Sequence, residues 1–273
     1  MKILSGQPIA QKILDDVRRR VKQTHARGIT PTLAVILVGD NPASVKYVQY
    51  KKQTARKVGI DLLLYRLPAD IAQHDIEQLL ATLHLDGSVH GIVIQLPLPE
   101  HLNLQKFISF LDPDKDVDSF GDRSRYNPPT ASAVLELLKY YKINCHNRKI
   151  GIVGKGFLVG TPLVKLLKKC GADVSAYDNT TQQLERECRK QNILISAAGQ
   201  PHLVDDRFIN KNQVVIDVGN ARDPKTNKVV GDVDYKKIRN KVAAITPRTG
   251  GVGPITIALL LQNVIISAQE LQT

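Results

Sequence analysis

The sequence predicts an α/β protein of two domains, each built on a parallel sheet. Three observations carry that prediction. Short β-rich runs alternate with helical patterns along the chain, which is the signature of a parallel sheet covered by helices. A stretch rich in Pro, Asp, Gly and Asn, residues 112–130, interrupts the alternation. The alternation then restarts with a strand that runs into a glycine turn, Gly154 to Gly160, the layout of a Rossmann-type dinucleotide-binding unit.

The elements follow in order. Residues 5–27 read as a helix. Pro8 lies near its start, apolar residues recur at Ile9, Ile13, Val17 and Val21, and Gly28 ends it. Residues 32–38 are a strand. Asn41 caps the next helix, with Pro42 at its first position, and Gly59 closes it after Val58. Strand 61–67, helix 72–84, strand 89–94 and helix 104–111 complete the first half. After the break come helix 131–141, strand 149–153, helix 160–170, strand 173–177, helix 182–190 and strands 193–196, 214–218 and 242–245. The last helix, 255–269, is apolar enough to be buried over much of its surface and to pack back on the first domain.

Composition bounds the function. The chain has 273 residues, 42% hydrophobic and 23% charged, which is an ordinary globular composition. Cys145, Cys170 and Cys188 show no metal spacing and predict reduced thiols in a cytoplasmic protein. The N-terminus lacks a signal-peptide core, and the longest apolar run, Ile255 to Ile266, is short for a membrane span. The net charge of +12 favours an anionic partner. The basic residues are scattered, with no aromatic interleaving and no zinc or helix-turn-helix signature, so nucleic acid is not expected. The seven histidines show no ligand spacing, and no metal site is expected.

Gly154 and Gly156 permit a tight turn and the close approach of a diphosphate, and Gly160 lets the helix pack near the sheet. The spacing is GxGxxxG, looser than the usual fingerprint, but the strand before and the helix after supply its context. Lys155, Val159, Asp178, Ala197 and Asn220 complete the expected cofactor site. Asp178 ends the second strand, where an acid accepts hydrogen bonds from a ribose diol and favours NAD. Lys155 points the other way, towards the 2′-phosphate of NADP. The small residues Ser196 to Gly199 suit a cofactor lying across the next strand end.

Two further features sit in the first half. Gln95-Leu96-Pro97-Leu98-Pro99 ends a buried strand, so an amide side chain stands where the prolines force a turn. Ligands bind at such carboxyl ends in open α/β sheets. Tyr47 and Lys51 lie four residues apart on one helix face. There a ring can stack on a heterocycle while the amine reaches its reacting edge, and desolvation would tune the lysine for proton transfer. An exposed lysine beside a half-buried tyrosine is the common alternative.

Several segments resemble the bifunctional methylenetetrahydrofolate dehydrogenase/cyclohydrolase (FolD) family. They are Val38 to Ser44 with Tyr47 and Lys51, Gln95 to Pro99, Pro113-x-Lys115-Asp116-Val117-Asp118, Val159-Gly160-x-Pro162, Val215 to Gly219, Gly231-Asp232-Val233, and Gly250 to Pro254 with Thr256. The resemblance implies a catalytic folate domain, residues 1–120, completed by a C-terminal helix, 254–273. It implies an NAD(P)-binding Rossmann domain over 121–253 and a homodimer. It assigns Lys51 as the main catalytic residue, Gln95 as its partner, Tyr47 to the folate ring and Asp118 to the pterin. Leu96, Pro97, Gly251, Val252, Gly253 and Pro254 would line the substrate. The implied activity is oxidation of 5,10-methylenetetrahydrofolate with NAD or NADP, the latter being the family default, then hydrolysis to 10-formyltetrahydrofolate. This chain departs from the family pattern in places. The loop after Asp118 is short, and Gly154-Lys155-Gly156 and Asp178-Asn179 replace the family's usual residues. Other readings stand beside this one: a dehydrogenase with weak or no cyclohydrolase, a non-catalytic nucleotide- or nucleic-acid-binding protein, and another Rossmann dehydrogenase.

Overall fold

The computed structural model describes residues 1–270. The chain divides into two compact units. One joins residues 1–10 to residues 130–256, and the other joins residues 11–129 to the chain from Ile257 onward.

The unit around residues 11–129 holds a three-stranded parallel sheet in the order β3–β2–β4. The central strand β2 (Thr32–Val38) is buried at every residue. It pairs with β3 (Asp61–Leu67) along its whole length and with β4 (Gly91–Gln95) from Leu33 to Leu37. Helices α2 (Pro42–Val58) and α3 (Gln73–Leu85) connect these strands, α4 (Leu104–Phe110) follows β4, and most of α1 (Gln7–His25) belongs here. Two apolar clusters form on this framework. One sets Val35, Leu37 and Val93 with Val48 and Ala55 of α2 and with Leu260, Leu261, Val264 and Ile265. The last four belong to helix α9 (Val252–Glu270), so the terminal helix completes this core. Among the described residues α9 alone would qualify as a membrane span by length and hydropathy, yet most of that stretch is buried inside the protein. The other cluster sets Ala34, Ile36 and Ile94 against Ile76, Leu80 and Phe107.

The other unit carries a six-stranded parallel sheet in the order β1–β11–β8–β7–β5–β6. Its strands are β1 (Lys2–Ile3), β5 (Lys149–Val153), β6 (Asp173–Tyr177), β7 (Ile193–Ser196), β8 (Val214–Asp217) and β11 (Ala244–Ile245). Helices α5 (Pro129–Tyr140), α6 (Gly160–Lys169), α7 (Leu184–Arg189) and α8 (Tyr235–Ile238) accompany it, with a hairpin of β9 (Ala221–Arg222) and β10 (Val229–Val230).

Two expectations need correction here. The first residues do not stay with the unit they precede in sequence. β1 pairs with β11, Lys2 opposite Ala244, so residues 1–10 close the edge of the nucleotide sheet. The boundary falls between residues 129 and 130 rather than 120 and 121. The reason is local: Val117 and Tyr126 are buried in the core that contains Leu261 and Val264, which keeps the short loop with that unit.

Candidate functional site

Lys51 lies on the buried face of α2, with Ser44, Val48, Thr54, Ala55 and Val58. Asn41 starts that helix, accepting the N–H groups of Ala43 and Ser44, and Gly59 stops it in the left-handed region. A lysine placed on a core face has little solvent, and its residue is only 3% exposed. Its Nζ donates to Gln95 Oε1 at 3.2 Å. Gln95 is held in that orientation by its own Nε2, which donates to the carbonyl of Leu96 at 2.8 Å. The same carbonyl accepts Ser44 Oγ at 3.1 Å. The amide is therefore locked, with its acceptor turned to the lysine. The peptide bond between Leu96 and Pro97 is cis.

The ring of Tyr47, one turn before Lys51, stands 5.0 Å from the lysine nitrogen. Burial pushes the Lys51 amine below its ordinary range, and the Asp118 carboxylate opposes that shift. Reciprocally, burial pushes Asp118 up while Lys51 pulls it down. Burial, then the charge of Asp118, keeps the Tyr47 phenol protonated. The four residues thus form one desolvated cluster: an amine, its amide partner, a carboxylate and a ring. Such a lysine reaches its neutral form closer to physiological pH and can take and return a proton.

Asp118 is placed by the segment before it. Lys115 Nζ donates to the carbonyls of Leu83, His84 and Asp86 at 2.7–2.9 Å, which ties the segment to the end of α3. Asp116 accepts the N–H groups of Phe120 and Gly121 and folds the short loop back on itself. Asn263 of α9 donates to the carbonyl of Val117 at 2.9 Å. The loop after Asp118 is a tightly bonded turn, and a cavity of about 210 Å³ beside it is lined by Asp116, Gly121 and Arg123 rather than by Lys51 or Gln95.

In the other unit the glycine turn has the predicted form. Gly154 adopts φ 105°, open only to glycine. A Cβ there would lie 2.4 Å from the carbonyl oxygen of Ala197, and one on Gly160 would lie 2.0 Å from that of Gly154. The turn therefore packs backbone against backbone and leads directly into α6, whose N-terminus suits a diphosphate. These residues fit a dinucleotide. Lys155 and Asp178, which argued for different cofactors, are joined: Nζ and Oδ2 lie 2.9 Å apart. Asp178 Oδ1 also accepts the N–H and hydroxyl of Thr180. The Thr180 hydroxyl and Lys155 hold this carboxyl well below the usual carboxylate range. Val159 precedes α6, Ala197 follows β7, and Asn220 is exposed after β8. Gly251 comes just before α9, and Val252, Gly253 and Pro254 form its first turn within this same unit. Sequence reasoning gave no role to Ser44, whose hydroxyl fixes the Leu96 carbonyl; only the three-dimensional approach of α2 to the end of β4 reveals it.

Fold and site define a class: a two-unit α/β enzyme with a buried lysine centre in one unit and a dinucleotide turn in the other. Comparison with known proteins narrows the class. Residues 4–118 match the family described as "Tetrahydrofolate dehydrogenase/cyclohydrolase, catalytic domain". Residues 128–272 match its "NAD(P)-binding domain". The chain belongs to the tetrahydrofolate dehydrogenase/cyclohydrolase family. It is 38% identical to the bifunctional protein FolD of Aquifex aeolicus over 97% of this chain and 94% of that one. Among solved structures, the bifunctional FolD of Campylobacter jejuni is 37% identical, with a TM-score of 0.92, over 98% of this chain and 99% of the other. FolD of Trypanosoma brucei, solved with NADP cofactor and inhibitor, is 32% identical, with a TM-score of 0.91, over 98% and 97%.

Proposed function

We propose that this chain oxidises 5,10-methylenetetrahydrofolate to the 5,10-methenyl form with a nicotinamide dinucleotide, then hydrolyses that product to 10-formyltetrahydrofolate. The observation that carries the reading is the Lys51–Gln95 pair, buried beside Tyr47 and Asp118. The dinucleotide, when bound, accepts the hydride from the one-carbon bridge. The Gly154–Gly160 turn, Lys155, Asp178, Ala197 and Asn220 would hold it.

The chain's own residues handle binding and protons. Tyr47 offers a ring face to the pterin. Asp118 offers a carboxylate to the pterin's two-donor edge, a bidentate, charge-assisted match. In the hydrolytic step water adds to the methenyl carbon, and neutral Lys51 takes the proton released. Cleavage of the bond from that carbon to N5 follows, and Lys51 returns a proton to N5. The overall step consumes water, gives the formyl group on N10 and releases one proton. Gln95 holds the amine towards this exchange through its oxygen.

The preferred dinucleotide is NAD. Asp178 stays ionised and stands at the strand end where a ribose diol would sit, so it repels a 2′-phosphate. Its bond to Lys155 neutralises the cation that would otherwise attract that phosphate. A homodimer and a cytoplasmic location accompany this reading; light scattering on the purified chain tests the first.

The test is turnover with 5,10-methylenetetrahydrofolate and either NAD or NADP, for wild type and Lys51→Met. Nicotinamide reduction followed by Lys51-dependent loss of methenyl absorbance supports the reading. No reduction with either dinucleotide overturns it. Reduction without methenyl loss would leave a dehydrogenase alone.

A further inference from the structure

The segments Asp217-Val218-Gly219 and Gly231-Asp232-Val233 have no part in the chemistry above. In the structure they interlock. Asp217 Oδ1 accepts the N–H groups of Gly219 and Asp232, both at 3.0 Å, and its Oδ2 accepts that of Val233 at 3.1 Å. Asp232, with no solvent exposure, reaches the next strand end. Its Oδ2 accepts Ser196 Oγ at 2.9 Å and the N–H of Ala198 at 2.7 Å, and its Oδ1 accepts the N–H of Gln200 at 2.8 Å. Both carboxylates lie where a side chain on the opposite glycine would be. A Cβ on Gly219 would fall 2.0 Å from Asp232 Oδ1, and one on Gly231 would fall 1.9 Å from Asp217 Oδ2.

The shelf that Asp232 holds, Ser196 to Gln200, is the surface on which the glycine turn rests. A Cβ on Gly154 would lie 2.4 Å from the oxygen of Ala197 and 2.8 Å from the nitrogen of Ala198. Three polar groups of a five-residue loop therefore take their position from one buried carboxylate. A neutral amide could not replace it, because its NH₂ would face N–H donors.

We propose that Asp232 is a positioning residue for dinucleotide binding, its carboxylate fixing the Ser196–Gln200 shelf against the Gly154 turn. Its carboxylate is taken up by Ser196, Ala198 and Gln200, so it would act through that shelf. The inference rests on the dinucleotide part of the proposed function and not on the folate chemistry. Loss of Asp232 should weaken the dinucleotide and spare lysine-dependent hydrolysis, which uses no dinucleotide.

The test compares Asp232→Asn with wild type, both as full chains. Equilibrium dialysis gives the dissociation constants of NAD and NADP, and the loss of added 5,10-methenyltetrahydrofolate gives the hydrolytic rate. The dissociation constant of the dinucleotide that wild type binds should rise about tenfold or more. The hydrolytic rate should stay within about twofold of wild type. An unchanged dissociation constant overturns the proposal. Equal losses of binding and hydrolysis in a folded variant also overturn it, since they show a general structural role. Where Asp232→Asn does not fold, Ser196→Ala removes one of the three contacts and decides: weaker dinucleotide binding supports the proposal, and unchanged binding overturns it. Wild type that binds a dinucleotide but turns over no folate defeats the folate reading, while the dialysis still reads Asp232. Wild type that binds neither dinucleotide defeats this inference.

Discussion

Replacing Gln95 with leucine removes the oxygen that accepts the Lys51 N–H at 3.2 Å and leaves a shape of similar size. The lysine is 3% exposed, so water does not readily take the oxygen's place. The lost bond is to a charged donor, and such bonds contribute about 1.5–3 kcal/mol. That loss falls mainly on the protonated amine, whose charge strengthens the bond. At about 1.4 kcal/mol per pH unit, the acid limb of hydrolysis should move down by about one to two pH units. The sign follows from the role: the neutral amine takes the proton, and a weaker hold on the ammonium frees it at lower pH. The assay is the pH dependence of kcat/KM for methenyltetrahydrofolate hydrolysis, which reports groups of the free enzyme. Gln95→Glu is the counter-test. It sets a carboxylate beside the ammonium and should move the limb upward. A limb that stays in place in both folded variants would refute the argument that Gln95 sets the protonation of Lys51.

Other outcomes follow from the same geometry. Lys51→Met should lower hydrolysis by about 10²–10⁴-fold, the range for a lost general acid–base group, and equilibrium dialysis should show the dinucleotide affinity unchanged. Asp178→Ser removes the partner of Lys155 and frees its charge, so KM for NADP should fall and KM for NAD should rise in steady-state kinetics. Leu261→Ala truncates a fully buried side chain of α9 and should cost about 2–5 kcal/mol in urea unfolding, without changing the pH profile of the surviving activity. Burial raises the Asp217 carboxyl to about 7. The folded state then holds a proton that the unfolded chain has already lost. Asp217 therefore favours the folded state least at high pH: stability falls as pH rises from about 4 to about 7 and levels off above. Asp217→Asn should flatten that slope in denaturant titrations across the window, whatever it does to the absolute stability.

The strands that carry the site were legible because their patterns are local. The strands at Thr32–Val38, Asp61–Leu67, Lys149–Val153, Asp173–Tyr177 and Ile193–Ser196 coincide with the ranges read from the sequence. The helix from Pro42 was equally plain, because Asn41, Pro42 and Gly59 mark its ends chemically. β1 was not legible. Lys2 and Ile3 have no pattern of their own, and their strand exists only because Ala244 and Ile245 lie beside them. The hairpin of β9 and β10 and the one-turn helix α8 escaped for the same reason of length.

The site was read in part. Tyr47 and Lys51 share a helix face by spacing, and the prolines after Gln95 announce a strand end, but neither fact says that the amide meets the amine. That meeting depends on β4 pairing directly with β2, the strand that α2 follows, which is a property of the sheet order. Lys115 shows the limit from the other side. Its ammonium is taken up by three carbonyls at the end of α3, a contact that its neighbours in sequence do not announce. The interlock of Asp217 and Asp232 was equally hidden, since the partners are fifteen residues apart and each looks like an acid following a strand or a turn.

Lys51 is a buried amine whose proton comes off more readily than that of an ordinary lysine. The direct test is a pH titration of the lysine side-chain nitrogens by NMR, with the Lys51 signal assigned by its absence in Lys51→Arg. One lysine resonance should titrate below the bulk of the others and shift upward in Gln95→Glu. A Lys51 resonance that titrates together with the surface lysines would contradict it.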